Sequence, residues 1–244
     1  MDKIEINIVN LTKNFGAVHA LDAVDMKFTH GNLYGVIGPA GAGKTTLFRI
    51  MLQLMAPIAG RVEYRTDGVP VDFNALRPHI AYMPQSQSLY ADLSVDEHLD
   101  FFRRLYGIGR TEFARRRDSL LQLARLDRFV SRPADKLSGG MYKKLGLICA
   151  LLRSPKIMLL DEPTNGVDPI SRREFWTLIN TSREQGILVI VSTAYMDEAE
   201  RCSDVVLMER GRVLSTGEPR ALLSAAGCNN FDEFFIRRGG DANE

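Results

Sequence analysis

The stretch LYGVIGPAGAGKTT, Leu33 to Thr46, constrains this chain more than any other. An apolar run of strand length leads into a glycine-rich turn, and the turn opens the helix-like segment TTLFRIMLQLM. Strand, glycine loop and helix in that order form the opening unit of a nucleotide-binding α/β domain. The segment from Gly38 to Thr45 matches G-x-x-x-x-G-K-[ST]. In that pattern the loop of Gly38, Pro39, Ala40, Gly41, Ala42 and Gly43 curls its backbone N–H groups round a β-phosphate. Lys44 offers a point charge to the β- and γ-phosphates, and Thr45, followed by Thr46, places a hydroxyl on Mg²⁺. The positive end of the helix dipole faces the same anion. A glycine turn that merely caps a helix is the bland alternative, and the strand before it and the helix after it argue against that.

Two continuous apolar runs, IMLLD (Ile157 to Asp161) and ILVIVS (Ile187 to Ser192), have the length and composition of parallel strands buried on both faces. Asp161 and Glu162 fall at the C-terminal edge of the first, where open α/β sheets bind their ligands. There Asp161 would hold Mg²⁺ through water and Glu162 would polarise the water that attacks a γ-phosphate. A simple strand-ending turn before Pro163 is the competing account. Upstream, the alternation of Ile4, Ile6, Ile8 and of Ala23, Val24, Met26, Phe28 predicts antiparallel β-structure. Between Val95 and Leu152 the apolar spacing becomes helical, as in Leu99, Phe102, Leu105 and Leu120, Leu123, Leu126, which predicts an inserted helical subdomain.

Composition narrows the partners without naming one. The 244 residues suffice for one large domain, or a core with a smaller subdomain. Thirty-one basic residues against thirty acidic ones leave no charge excess that would demand a nucleic acid or an anionic membrane surface. No apolar run approaches the ~20 residues of a membrane span, and the N-terminal segment carries no signal-like core, so a cytoplasmic location is expected. Cys149, Cys202 and Cys228 are too far apart to suggest ligand spacing and suit reduced thiols. The run Arg115 to Arg117 reads as a solvated helix face, and RRGGDANE, Arg237 to Glu244, as a frayed terminus or linker.

The segment LSGGM, Leu137 to Met141, lies between the phosphate loop and the Asp161 strand. With it, the chain resembles the ATP-binding cassette (ABC) ATPases along essentially its whole length. Phe15 in KNFG matches the aromatic that stacks on adenine in that family, Gln85 in YMPQ the Q-loop glutamine, and NGVD, ending at Asp168, the D-loop. The segments LYADLSVDEHLDFFRRLYGI and DEPTNGVDPISRREFW resemble the ATPases of ABC-2 type exporters, in particular the first cassette of tandem ATPases.

The resemblance implies an α/β fold: a P-loop NTPase (RecA-like) parallel sheet core, an N-terminal antiparallel β subdomain and an inserted α-helical subdomain. Residues 1–90 and 153–220 would form the core, 91–152 the helical signature subdomain and 221–244 a C-terminal helix and tail. It implies ATP and Mg²⁺ as cofactors, with Gln85 joining Thr45 and Asp161 on the metal. It implies Lys44, Gln85 and Glu162 as the groups that act on the phosphate and its water. It also implies a head-to-tail second cassette whose ATP is closed by Leu137, Ser138, Gly139 and Gly140. The further partners implied are ABC-2 type transmembrane subunits, at the cytoplasmic face of a membrane, moving a small or lipophilic compound outward. Similar cassettes act on ribosomes, and only under that alternative is a nucleic-acid partner expected. The interval from Lys44 to Ser138 is too short for the long coiled coil of chromosome-organising relatives.

One position departs from the family pattern. After ILVIVS such cassettes usually read Ser-Thr-His, and here the residues are Ser192, Thr193 and Ala194. The missing imidazole would bond the γ-phosphate and help hold the carboxylate, so hydrolysis is expected to suffer more than binding. His19, His30, His79 and His98 are not expected to reach this strand end. Tyr195 projects from the adjacent position and is not expected to replace the imidazole. A slow site with an intact LSGGM suggests one member of an asymmetric pair, either a heterodimer or a tandem protein, with a mainly regulatory, non-hydrolysing ATP-binding half of such a pair as the alternative.

Overall fold

A computed structural model describes residues 3–86 and 89–240. The chain runs β1 (Ile4–Phe15), β2 (Val18–Thr29), β3 (Leu33–Ile37), α1 (Lys44–Met51), β4 (Ala59–Thr66), β5 (Val69–Val71), α2 (Phe73–Leu76) and β6 (Ile80–Met83). The helices α3 (Val95–Leu105), α4 (Arg110–Ala124) and α5 (Gly139–Leu151) follow. Then come β7 (Ile157–Asp161), α6 (Pro169–Glu184), β8 (Leu188–Thr193), β9 (Asp204–Glu209), β10 (Arg212–Gly217), α7 (Pro219–Ala226) and α8 (Phe231–Gly240).

Among the described residues the strands form two sheets, one ordered β2-β1-β4-β5 and antiparallel throughout, the other ordered β10-β9-β3-β8-β7-β6. In the second, β9, β3, β8, β7 and β6 are parallel and β10 closes the edge antiparallel to β9. The fully buried strands β3, β7 and β8 explain the unbroken apolar runs, because each face of the parallel sheet meets a different core. Ile157, Leu159, Leu188 and Ile190 pack toward the antiparallel sheet and α1. Met158, Leu160, Val189 and Val191 pack toward the helical side, with Leu145, Ile148, Phe175 and Trp176.

The helical insert is pinned at its start by a capping box. Ser94 Oγ accepts the Glu97 N–H, and Glu97 Oε2 accepts the Ser94 N–H at 2.8 Å, which satisfies two otherwise orphaned donors. His98, fully buried in α3, bonds the Ser94 carbonyl through Nδ1 and accepts the Tyr90 N–H at Nε2. At the far end of the insert the Lys144 ammonium, 4% exposed, meets Glu174 Oε2 at 2.7 Å, and Arg125 takes the other oxygen at 2.8 Å. That pair joins α5 to α6.

The sequence reading needs four adjustments. Helix α1 stops at Met51 instead of running through Met55, because Gln53 takes a left-handed φ of 51°. Arg116 and Arg117 do not form a solvated face. Arg116 donates to the Leu152 carbonyl at 2.7 Å, while Arg117 pairs with Asp96 of α3, so the run ties α4 to its neighbours. The C-terminal segment holds two helices, and α7 and α8 pack against the 3₁₀ turn Met196–Arg201 that follows β8. Of the stretch read as a frayed tail or linker, residues 237–240 complete α8 and 241–244 lie outside the described residues. Cys149 and Cys202 are buried free thiols, and burial pushes both well above the usual thiol range.

Removing one partner of the Lys144–Glu174 pair leaves a buried ammonium uncompensated, so Glu174→Gln costs about 2–3 kcal/mol at neutral pH. The Lys144 hydrogen bond, more than any other cause, holds the Glu174 carboxyl below the usual carboxylate range. Its stabilisation is therefore complete above the unfolded value of about 4.3 and drains away as pH falls through the lower folded value. Denaturant titrations of both proteins at neutral and acid pH are expected to show the difference shrinking with acidification.

Candidate functional site

The parallel register sets the C-terminal ends of β3, β8 and β7 side by side, pairing Ile37 with Thr193 and Asp161 with Ser192. The glycine loop leaves the first of these strands, Ala194 the second and Glu162 the third. The loop is anchored to its neighbour by the Gly38 N–H, which donates to the Thr193 carbonyl at 3.2 Å. Gly43 precedes α1 with φ 101°, and a Cβ there would stand 2.3 Å from the Ala20 carbonyl oxygen, so only glycine closes the turn.

Lys44 is buried, and its ammonium bonds the Gly38 carbonyl at 2.7 Å, the Pro39 carbonyl at 3.0 Å and Glu162 Oε1 at 3.2 Å. Its three donors therefore converge on the loop mouth and the carboxylate. Gln85 Nε2 donates to Glu162 Oε2 at 2.9 Å. The residues singled out from the sequence as Lys44, Gln85 and Glu162 thus form one cluster from three distant segments.

Glu162 sits in the left-handed region with φ 45°, a conformation that costs a non-glycine residue of order 1–3 kcal/mol. Its N–H donates to both the Ser192 carbonyl and Ser192 Oγ at 3.0 Å, which fixes that backbone against the end of β8. Ser192 Oγ in turn donates to Asp161 Oδ1 at 2.5 Å. Asp161 Oδ2 is buried and accepts no hydrogen bond from the described residues. Burial and then the Asp161 charge push the Tyr82 phenol up to about 12, so that hydroxyl stays protonated beside the carboxylate.

Lys143 of α5 reaches the same region and donates to the Gln85 carbonyl at 3.2 Å. Burial lowers its pKa, and the charges of Glu162 and Asp161 oppose that shift. Lys143 was not singled out from the sequence, while Asn165 entered only as the first residue of the NGVD motif and Ser192 only as the residue two before the switch position. A lysine five residues past Ser138 on a helix carries no signal of its destination, since that depends on how α5 crosses the sheet.

Phe15 ends β1 about half exposed, and its ring lies 5.6 Å from the Lys13 ammonium. Thr45 and Thr46 lie in the first turn of α1. Ser138 caps α5 and accepts the Met141 N–H at 3.3 Å. Leu137 forms the extended lead-in to that cap. Asp168 caps α6 by accepting the Ile170 and Ser171 N–H groups, which hold its carboxyl below the usual range. Gly140 abuts α6: a Cβ would fall 2.3 Å from Ser171 Cβ, whereas one at Gly139 meets nothing closer than 4.0 Å. Ala194 is exposed and presents a methyl group.

These contacts separate the two glycines. Gly140→Ala is expected to cost about 1–3 kcal/mol by overpacking the α5–α6 contact, and Ser171→Gly in the same chain to restore part of it. Gly139→Ala should move stability by less than about 0.5 kcal/mol. Chemical denaturation of the four proteins reads out both expectations.

The ABC transporter family profile matches residues 21–165, more than half of the chain. The protein named "Probable multidrug ABC transporter ATP-binding protein YbhF" of Escherichia coli K12 is 41% identical over 237 residues, 95% of this chain and 40% of that one. This chain therefore spans about two-fifths of the length of that relative. "Nod factor export ATP-binding protein I" of Rhizobium sp. N33 is 32% identical over 246 residues, covering 100% of this chain and 80% of its own. A solved ATP-binding subunit of an ABC transporter superposes with a TM-score of 0.81 at 29% identity, covering 95% of this chain and 98% of its own. The cbiO1 subunit of Clostridium perfringens gives 0.80 at 28% identity over 90% of each chain.

Proposed function

The chain belongs to the ABC transporter ATP-binding family, and from that premise we propose that it is one cassette of an exporter's ATPase pair, binding ATP firmly and hydrolysing it slowly. The observation that carries this reading is the convergence of Lys44 and Gln85 on Glu162 at the mouth of the glycine loop, beside an Ala194 that contributes no polar group.

In this reading Phe15 stacks on the adenine, and the loop from Gly38 to Thr46 wraps the β-phosphate. Lys44 exchanges its contacts with the loop carbonyls and Glu162 for the β- and γ-phosphates. That releases Glu162 Oε1 to accept a hydrogen bond from the attacking water. The oxygen donors at this edge suit a hard divalent cation. Thr45, Asp161 and the Gln85 amide oxygen would hold Mg²⁺, and the unpartnered, buried Asp161 Oδ2 fits a water-mediated contact to it. Bound there, the ion would neutralise charge on the phosphate oxygens.

Ser138 and the backbone amides from Leu137 to Gly140 would close on the nucleotide of a second cassette, with Asp168 at the same face. No helix of the described residues is long and apolar enough to cross a membrane. ABC-2 type subunits at the cytoplasmic face fit the exposed aromatics Tyr90 and Phe101 near the Gln85 segment. The names of the relatives, one for multidrug transport and one for Nod factor export, support outward movement of a small or lipophilic compound.

Loss of one preorganised donor typically costs ~10²–10³ in rate. Ala194→His is accordingly expected to raise turnover about a hundredfold with little change in ATP affinity, while Glu162→Gln abolishes turnover in both backgrounds. Phosphate release measured for the chain alone and with its partner cassette tests this. Turnover near the enzyme median of about 10 per second, unmoved by Ala194→His, would refute it.

A further inference from the structure

Two side chains take up part of what Ala194 lacks. We propose that Tyr195 and Asn165 form a relay that positions Glu162, an inference that rests on the ATPase reading above. The Tyr195 hydroxyl lies 3.3 Å from Asn165 Oδ1, and Asn165 Nδ2 lies 3.5 Å from Glu162 Oε2. The polarity is fixed by chemistry: an amide oxygen and a carboxylate only accept, so the phenol donates to Asn165 and Asn165 donates to Glu162. Turning the amide over would set its oxygen against the carboxylate. Both contacts are longer than a fully formed hydrogen bond, as catalytic contacts often are before a substrate draws them in.

The relay is held from outside the site. The Tyr195 ring lies under the Arg172 guanidinium at 4.7 Å. Arg172 is anchored in turn by Glu198 at 2.7 Å and by both oxygens of Asp197 at 2.7 and 2.8 Å. Glu198 is fully buried and also accepts from Thr164 Oγ1 at 2.7 Å and Trp176 Nε1 at 2.9 Å. One buried carboxylate therefore fixes Thr164, the residue before Asn165, and through Arg172 the ring of Tyr195.

At Glu162 the division of labour follows. Oε2 receives Gln85 and Asn165, while Oε1 is bonded among the described residues by Lys44 alone and becomes available when Lys44 moves to phosphate. Tyr195 and Asn165 act through Glu162 as positioning residues, and so replace the carboxylate-holding half of the imidazole's work and not the phosphate-bonding half.

Tyr195→Phe keeps the ring on Arg172 and removes only the hydroxyl. With the full chain, its partner cassette and saturating Mg·ATP, it is expected to lower kcat about tenfold with KM unchanged. Asn165→Ala should do the same or slightly more, the double variant no more than Asn165→Ala alone, and the Tyr195→Phe penalty should shrink in the Ala194→His background. In the nucleotide-free chain the Asn165 side-chain amide resonances should shift on Tyr195→Phe and on Glu162→Gln. Parent turnover above the Glu162→Gln floor with kcat unchanged in Tyr195→Phe overturns the relay alone, as do multiplicative penalties in the double variant or a KM that rises in step. Parent turnover no higher than Glu162→Gln overturns the ATPase reading and the relay together.

Discussion

Parallel pairing of β3, β8 and β7 is the constraint on which everything else depends. Its register puts Ile37, Thr193 and Asp161 at one edge, so the loop, the switch position and the two carboxylates leave the sheet within reach of each other. A sheet of this kind is stable only with both faces covered. The antiparallel sheet with α1 covers one face, and the insert with α6 covers the other. The helical insert is thus a structural necessity before it is a signalling element, and Gln85 and Lys143 enter the site because that cover sits where it does.

What the sequence made legible was whatever depends on backbone chemistry or on period. The glycine loop is readable because a positive φ and a close approach to the Ala20 carbonyl admit one residue type at Gly43. The strands β7 and β8 are readable because burial on two faces suppresses alternation. The roles of Gly139 and Gly140 were not separable, since only packing on Ser171 distinguishes them. Arg116 and Arg117 looked like a solvated run because nothing local reveals that Leu152 and Asp96 lie opposite. Tyr195 and Asn165 are thirty residues apart, and their meeting depends on the left-handed turn at Glu162 and on the buried Glu198.

Electrostatics and strain act together at Glu162. A carboxylate beside a buried ammonium is attracted strongly, yet attraction alone has no direction. The direction comes from the backbone: φ 45° turns the side chain out of the line of β7 toward Lys44 and Gln85, and two hydrogen bonds from one N–H to Ser192 hold that turn. Ser192 also binds Asp161, so the two carboxylates share a single anchor on β8 while pointing to different tasks.

Binding and hydrolysis draw on different parts of this site, which is why a lost imidazole need not disable the chain. In the proposed reading the phosphate is held mostly by backbone amides and Lys44 on one contiguous segment, whose geometry is set by glycines and the helix start. Glu162, the carboxylate proposed to activate water, is held by side chains from four segments: Lys44 on α1, Gln85 after β6, Asn165 after β7 and Ser192 at the end of β8. Ala194 removes one donor from a set that is redundant at the carboxylate and not at the γ-phosphate. Under the proposed reading the consequence is graded, slower chemistry on an unchanged grip. In the proposed pair of cassettes, where LSGGM would serve the neighbour's nucleotide, such a chain would still complete the other site.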